Sequence, residues 1–133
     1  MIRRTVESGR RAAEKIMTAT VEVRRYTGET TIDPDSLKAV RAHSVVYKGK
    51  AKIAAYEAFE SKPDIAGAVV TVTRLRADFP VGPFKAQPGD EIHVIGDKID
   101  PNLAGKVVRI AVPSPYKSHA TAYRVAVEEV AHG

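Results

Sequence analysis

The chain is 133 residues long, with 21 Lys and Arg against 16 Asp and Glu, a net charge of +5, and a hydrophobic fraction of 44%. That is one domain's worth of chain, enough to bury roughly two-thirds of its unfolded surface. It has no cysteine, which excludes disulfides and thiolate metal sites, and no apolar run approaches the ~20 residues of a membrane span.

The arginines near the N-terminus have no apolar stretch behind them, so a secretory signal is not expected. The expected setting is the inside of a cell, or a particle assembled there. The positive charge is uneven. Residues 1–26 carry seven basic side chains against three acids, and the remainder is nearly balanced.

Residues 1–133 read as a single domain, with an N-terminal helix over 1–17 and a β-barrel over 20–130. Ile2, Val6, Ala13 and Ile16 recur at helical spacing and share one face with Gly9. Glycine there either admits a close backbone approach or weakens the helix by about 1 kcal/mol relative to alanine. Arg4, Arg11 and Lys15 point the opposite way. Arg3–Glu7, Glu7–Arg11 and Arg10–Glu14 sit four apart and can pair along the flank.

Val21 to Tyr26 alternates as a first strand, followed by expected turns at Thr27-Gly28-Glu29 and Asp33-Pro34-Asp35-Ser36. Val45 to Ala55 reads as a strand pair or one bent strand, with Gly49 as its break. Glu57 to Gly67 has no period and reads as an exposed loop. Val69 to Arg76 is Val- and Thr-rich, hence a strand. The segment Ala77–Gly89 contains Pro80, Pro83 and Pro88 and reads as an extended arm, which prolines keep out of a central strand. Phe84 on that arm then needs cover from a partner.

Three short strands close the chain: Ile92–Ile95, Val107–Val112 and Ala122–Val127. The Pro88-Gly89-Asp90 turn launches the first, and Gly105 launches the second. Strands at intervals of about a dozen residues, separated by turn signals, indicate a mainly β fold: a small barrel with one N-terminal helix and long loops.

Chemistry is hard to find. The four histidines, His43, His93, His119 and His132, lack metal-ligand spacing and read as structural or surface residues. Asp90, Glu91, Asp97 and Asp100 would suit a hard cation, but both Asp90 and Asp100 adjoin turn residues, where Asp bonds its own backbone. Ser118-His119 has neither a nucleophile elbow nor an oxyanion hole. No phosphate loop is present, and the aromatics do not interleave with basic residues as a base-stacking platform would require. The expectation is a protein without catalytic residues, metal or cofactor.

Two resemblances arise from the second half. Gly89-Asp90-Glu91-Ile92-His93-Val94-Ile95 followed by Gly105-Lys106-Val107-Val108-Arg109-Ile110 resembles the KOW-type motif of SH3-like RNA-contacting barrels. The intervening loop carries Asp97 and Asp100 against Lys98, the wrong sign for phosphates.

Over nearly the whole chain, the order of motifs resembles the head-closure (stopper) proteins of tailed bacteriophages. These motifs are Arg10-Arg11-Ala12-Ala13-Glu14, Val21-Glu22-Val23-Arg24-Arg25, Tyr47-Lys48-Gly49-Lys50-Ala51-Lys52-Ile53, Val69-Val70-Thr71-Val72, the Pro-Gly-Asp turn, and Asp100-Pro101-Asn102-Leu103-Ala104-Gly105. Where such chains often have a Cys or another small residue, this one has Ala51.

The stopper resemblance implies a stopper-like barrel that forms a homo-oligomeric ring in the virion neck. The ring would sit between the portal or adaptor and the tail terminator or tail tube, close to packaged DNA and away from any membrane, after assembly in the host cytoplasm. It further implies that the segment holding Glu57, Glu60, Lys62 and Asp64 faces the channel, with three acids against one base to keep DNA from sticking. Arg4, Arg11 and Lys15 would meet an acidic partner or DNA, and Phe84 a neighbouring subunit. A tail-completion protein or an SH3-like RNA-binding protein are the alternatives.

Overall fold

The computed structural model describes residues 2–61, 69–113 and 120–130, with side-chain detail for 2–55, 75–113 and 120–130. Helix α1 spans Ile2–Lys15, and the strands are β1 (Ala19–Ile32), β2 (Ala39–Ser61), β3 (Val69–Phe79), β4 (Glu91–Asp97), β5 (Val107–Val112) and β6 (Tyr123–Glu129). All neighbouring strands run antiparallel. They close in the order β1-β2-β3-β6-β5-β4 as a barrel. No helix among the described residues is long and apolar enough to cross a membrane.

The core follows from the two-residue period of strands, which sends alternate side chains inward. Ala19, Val21 and Val23 of β1, Phe79 of β3, Ile92 of β4, Ile110 of β5 and Val125 of β6 are buried, while Thr20, between Ala19 and Val21, is exposed. Ala19 and Ala51 pair across β1 and β2, and both are buried. A larger side chain at Ala51 would have no room there.

β2 is the element that shapes the molecule. Residues Ala39–Ala51 pair with β1, whereas Lys52–Ser61 pair with β3 on the other side. β1 is bonded to β4 only over Ala19–Arg24, and β3 to β6 only over Leu75–Phe79. Two-stranded ribbons therefore leave the barrel from the two ends of β2: the β1–β2 hairpin at one end and the β2–β3 hairpin at the other.

Several expectations are corrected here. Thr27-Gly28-Glu29 does not turn the chain. β1 runs through it, with an irregularity between Tyr26 and Thr30 that Gly28 accommodates at φ 88°. The chain turns at Asp33–Leu37, as the Asp-Pro signal indicates. Asp33 Oδ1 accepts from the Asp35 amide at 2.9 Å, and the Leu37 amide donates to the Asp33 carbonyl at 2.8 Å.

Gly49 does not break β2. Its missing side chain lets the Tyr47 phenol fold back along the strand and donate to the Lys50 carbonyl at 2.6 Å, and a Cβ at Gly49 would stand 2.8 Å from that hydroxyl.

Glu57–Ser61 is strand rather than loop, because it pairs with Val69–Thr73. That ribbon lies beyond the strands that close the barrel. The rest of the expected loop, residues 62–67, is outside the described residues. Ala77, Asp78 and Phe79, assigned to the arm, belong to β3 and are buried.

The helix lies against the barrel without burying any residue completely. Val6, Gly9, Arg10, Ala13 and Glu14 are half-buried, but Ile2 and Ile16, expected on the packed stripe, are 65% and 54% exposed. Polar anchors hold it instead. Arg10 Nε donates to the Ala120 carbonyl at 3.0 Å, and Lys50 Nζ lies 2.8 Å from Glu14 Oε1. Gly9 serves a close approach, since a Cβ there would stand 2.7 Å from Thr121 Cγ2.

Candidate interaction surfaces

The charged residues nearest the barrel core do structural work. Asp90 is 2% exposed and ends the Gln87–Asp90 turn, in which Gly89 takes φ 93°. Its carboxylate accepts from Arg25 Nε (3.0 Å) and Nη2 (2.9 Å) and from the Gln87 amide (2.9 Å). Arg25 Nη2 also donates to the Lys85 carbonyl at 2.9 Å. One guanidinium thus ties β1 to both the arm and the turn. Its hydrogen bonds to Asp90 raise the already high Arg25 pKa.

Beside it, Glu91 is buried at the start of β4 and accepts from the Tyr26 hydroxyl at 2.8 Å. His93 Nε2 is 3.3 Å and Arg109 Nη2 is 3.9 Å from the same carboxylate. Arg41 stacks 3.9 Å above the Tyr26 ring. The Tyr26 phenol is pushed up, first by its hydrogen bond to Glu91 and then by burial.

In β3, Asp78 is buried with Arg76 Nε 2.9 Å from Oδ1 and Arg124 Nε 4.0 Å from it. The Arg76 Nε contact is an ion pair without hydrogen-bond alignment; Nη2 supplies the hydrogen bond, to Oδ2 at 3.3 Å.

The acidic set of the β4–β5 connection is occupied by the backbone, as turn chemistry requires. Asp97 Oδ1 accepts from Thr18 Oγ1 (2.8 Å), the Ile99 amide (2.8 Å) and the Asp100 amide (3.1 Å). These bonds hold its carboxyl below the usual range, the Ile99 amide being the largest cause. Asp100 caps a single 3-10 turn, Pro101–Leu103, by accepting from the Asn102 amide at 3.0 Å. Among the described residues no group of His, Asp and Glu converges as a metal site. His119 and His132, together with Ser118, lie outside them.

Of the residues singled out in the sequence, Arg4, Arg11 and Lys15 are exposed on α1, on the side away from the barrel. Glu57 and Glu60 stand opposite Thr73 and Val70 in the β2–β3 ribbon. Lys62 and Asp64 lie outside the described residues.

Phe84 is a correction. The arm folds back over the barrel, and the Phe84 ring stacks on Tyr47 (centroids 5.1 Å, planes 5° apart). It also meets Phe79 and Tyr123 edge-on at 4.9 and 5.8 Å. Ala86 beyond it is buried, and its amide donates to the Tyr123 hydroxyl at 3.1 Å. The prolines keep the arm out of the sheet, and the chain supplies its own cover for Phe84.

The surface missed by sequence reasoning is the tip of the β1–β2 ribbon. Ile32, Leu37 and Val40 are 70%, 79% and 45% exposed. The available signal was their position around an Asp-Pro turn, where a hairpin too long for the barrel carries apolar residues outward. Glu29 and Asp35 are exposed beside them.

A family model covers residues 9–128, from the middle of α1 to the penultimate residue of β6. The chain belongs to DUF6093, a family of unknown function. No curated protein matches this DUF6093 chain, and no solved structure does. The family assignment carries no activity with it.

Proposed function

We propose that this DUF6093 protein is a structural subunit of the neck of a tailed bacteriophage. It would form a ring between the portal or adaptor and the tail that continues the DNA channel, helps retain packaged DNA and docks the tail. The observation that carries the reading is the pair of β-ribbons leaving a small barrel from the two ends of β2, one of them tipped with exposed Ile32 and Leu37. Exposed apolar residues on a projecting arm suit a protein whose task is to join others.

The order of motifs shared with head-closure proteins supplies the kind of assembly. In this reading the β2–β3 ribbon with Glu57 and Glu60, and the following Lys62 and Asp64, faces the lumen, and the basic face of α1 meets an acidic neighbour or DNA. An RNA-contacting role has less support, since the loop that would meet phosphates carries Asp97 and Asp100.

Deletion of the gene from a phage that encodes the chain tests the proposal. Heads should fill and then lose their DNA, tails should accumulate unattached, and the intact chain supplied in trans should restore plaques. Complete infectious particles without the protein would overturn it.

A further inference from the structure

We infer that the β1–β2 ribbon of one copy docks on the outer face of α1 of the next, so that copies join head to tail. This rests on the ring reading above and names the contact that would build the ring. Both halves lie on one chain and are complementary. Residues 29–38 carry Glu29, Asp33 and Asp35 against Lys38, around the exposed Ile32 and Leu37.

Arg4, Arg11 and Lys15 form a ridge on α1, exposed and without an ion pair among the described residues. Exposed Ala12 lies on the flank of this ridge, and Ile16, 54% exposed, follows the end of α1. The other charges of the helix are spent within the chain: Arg3 on Glu7, Arg10 on the Ala120 carbonyl and Glu14 on Lys50. The free cations are those facing outward.

The two halves cannot meet within one copy. The helix is anchored to β2 at Lys50, whereas the ribbon turns before Ala39. The intervening stretch of β2 is extended and spans roughly 35 Å at ~3.3 Å per residue. A donor and an acceptor at separate places on one surface make a heterologous contact, which propagates and closes into a ring when the rotation allows. Apolar contact between Leu37 and the Ala12–Ile16 surface would supply the burial, and the charges would set register and partner.

The absence of cysteine makes the test clean. The purified full-length double variant Ala12→Cys/Leu37→Cys, treated with a short bismaleimide at high protein concentration, should give a ladder of covalent oligomers. Each single variant alone should stay monomeric, and an equal mixture of the two singles should stop at dimers. Reversal of the tip by Glu29→Lys and Asp35→Lys in the double variant should cut the ladder about tenfold. Adding Arg11→Glu and Lys15→Glu to the reversed protein should restore it.

Efficient dimers from Leu37→Cys alone would show ribbon meeting ribbon and overturn the inference. So would the absence of any ladder, or a ladder indifferent to charge reversal. Circular dichroism of each variant separates misfolding from lost contact. A failed ladder beside gene-deletion particles that lose their DNA and lack tails would reject this contact and leave the neck assignment standing.

Discussion

The guanidinium of Arg25 and the carboxylate of Asp90 meet fork to fork, Nε to Oδ1 at 3.0 Å and Nη2 to Oδ2 at 2.9 Å, across 65 residues of sequence. Asp90 is almost wholly buried, whereas Arg25 keeps part of its side chain in solvent. Removing one partner of such a pair strands the other in a place it does not tolerate. Asp90 also holds the Gln87 amide, so its loss would loosen the turn that starts β4. Arg25→Ala, which leaves the buried Asp90 carboxylate without its partner, should destabilise the protein by about 3 kcal/mol, read as a lower urea midpoint. Arg25→Lys should recover little, because an ammonium cannot reproduce the two parallel bonds.

Phe84 sits among Tyr47, Phe79 and Tyr123. Phe84→Ala should cost about 3 kcal/mol through lost burial and the cavity left behind. Phe84→Leu, which keeps most of the volume, should cost clearly less. Phe84→Asp should yield a protein that fails to fold, since the carboxylate would enter an aromatic cluster. Denaturant unfolding followed by tyrosine fluorescence measures all three. A soluble, fully folded Phe84→Asp protein would show that the ring is not part of the core.

Gly9 and Thr121 set the helix against the barrel. Alanine at position 9 gains about 1 kcal/mol of helix propensity, but its Cβ would stand 2.7 Å from Thr121 Cγ2. Threonine is stiff at χ1 and yields poorly. Gly9→Ala should therefore lose more from the clash than it gains from propensity. The double variant Gly9→Ala/Thr121→Ser, lacking that methyl group, should be more stable than Gly9→Ala alone. Thermal unfolding of the four proteins in the cycle decides it, and strict additivity would exclude the contact.

Asp97 predicts a local acid response. Its carboxyl is held below the ordinary value of 3.8, chiefly by the Ile99 amide and also by Thr18 and the Asp100 amide. A depressed carboxyl pKa contributes stability that is complete above the unfolded value and is lost as pH falls through the folded one. The β4–β5 connection should thus stay closed down to about pH 4 and loosen below it. The Ile99 and Asp100 amide resonances should shift together in that window. Asp97→Asn should remove the coupled transition, and persistence of the transition in that variant would assign it to another group.

Local chemistry was legible in the sequence by itself. The helix, the inward alternation of Val21 and Val23, the span of β5, the turn at Asp33-Pro34, and the backbone bonds of Asp100 and, beside its Arg25 pair, of Asp90 all depend on residues within a few positions of one another. Neighbour spacing and side-chain type carry that information directly. The basic outer face of α1 was legible for the same reason, because helical geometry places Arg4, Arg11 and Lys15 together.

Only the tertiary structure decided the course of β2, the destination of Phe84 and the pairing of Arg25 with Asp90. β2 changes partner between Ala51 and Lys52, a matter of register between distant strands that no local pattern records. Glu57–Ser61 has no alternation in its sequence to mark it as strand, and what makes it one is its pairing with the distant Val69–Thr73. The arm's prolines announce that it cannot join the sheet, but whether Phe84 turns inward or outward depends on the space left above Tyr47 by barrel closure. The exposed tip at Ile32 and Leu37 arises in the same way: it exists because β1 outruns its partner β4 at Arg24.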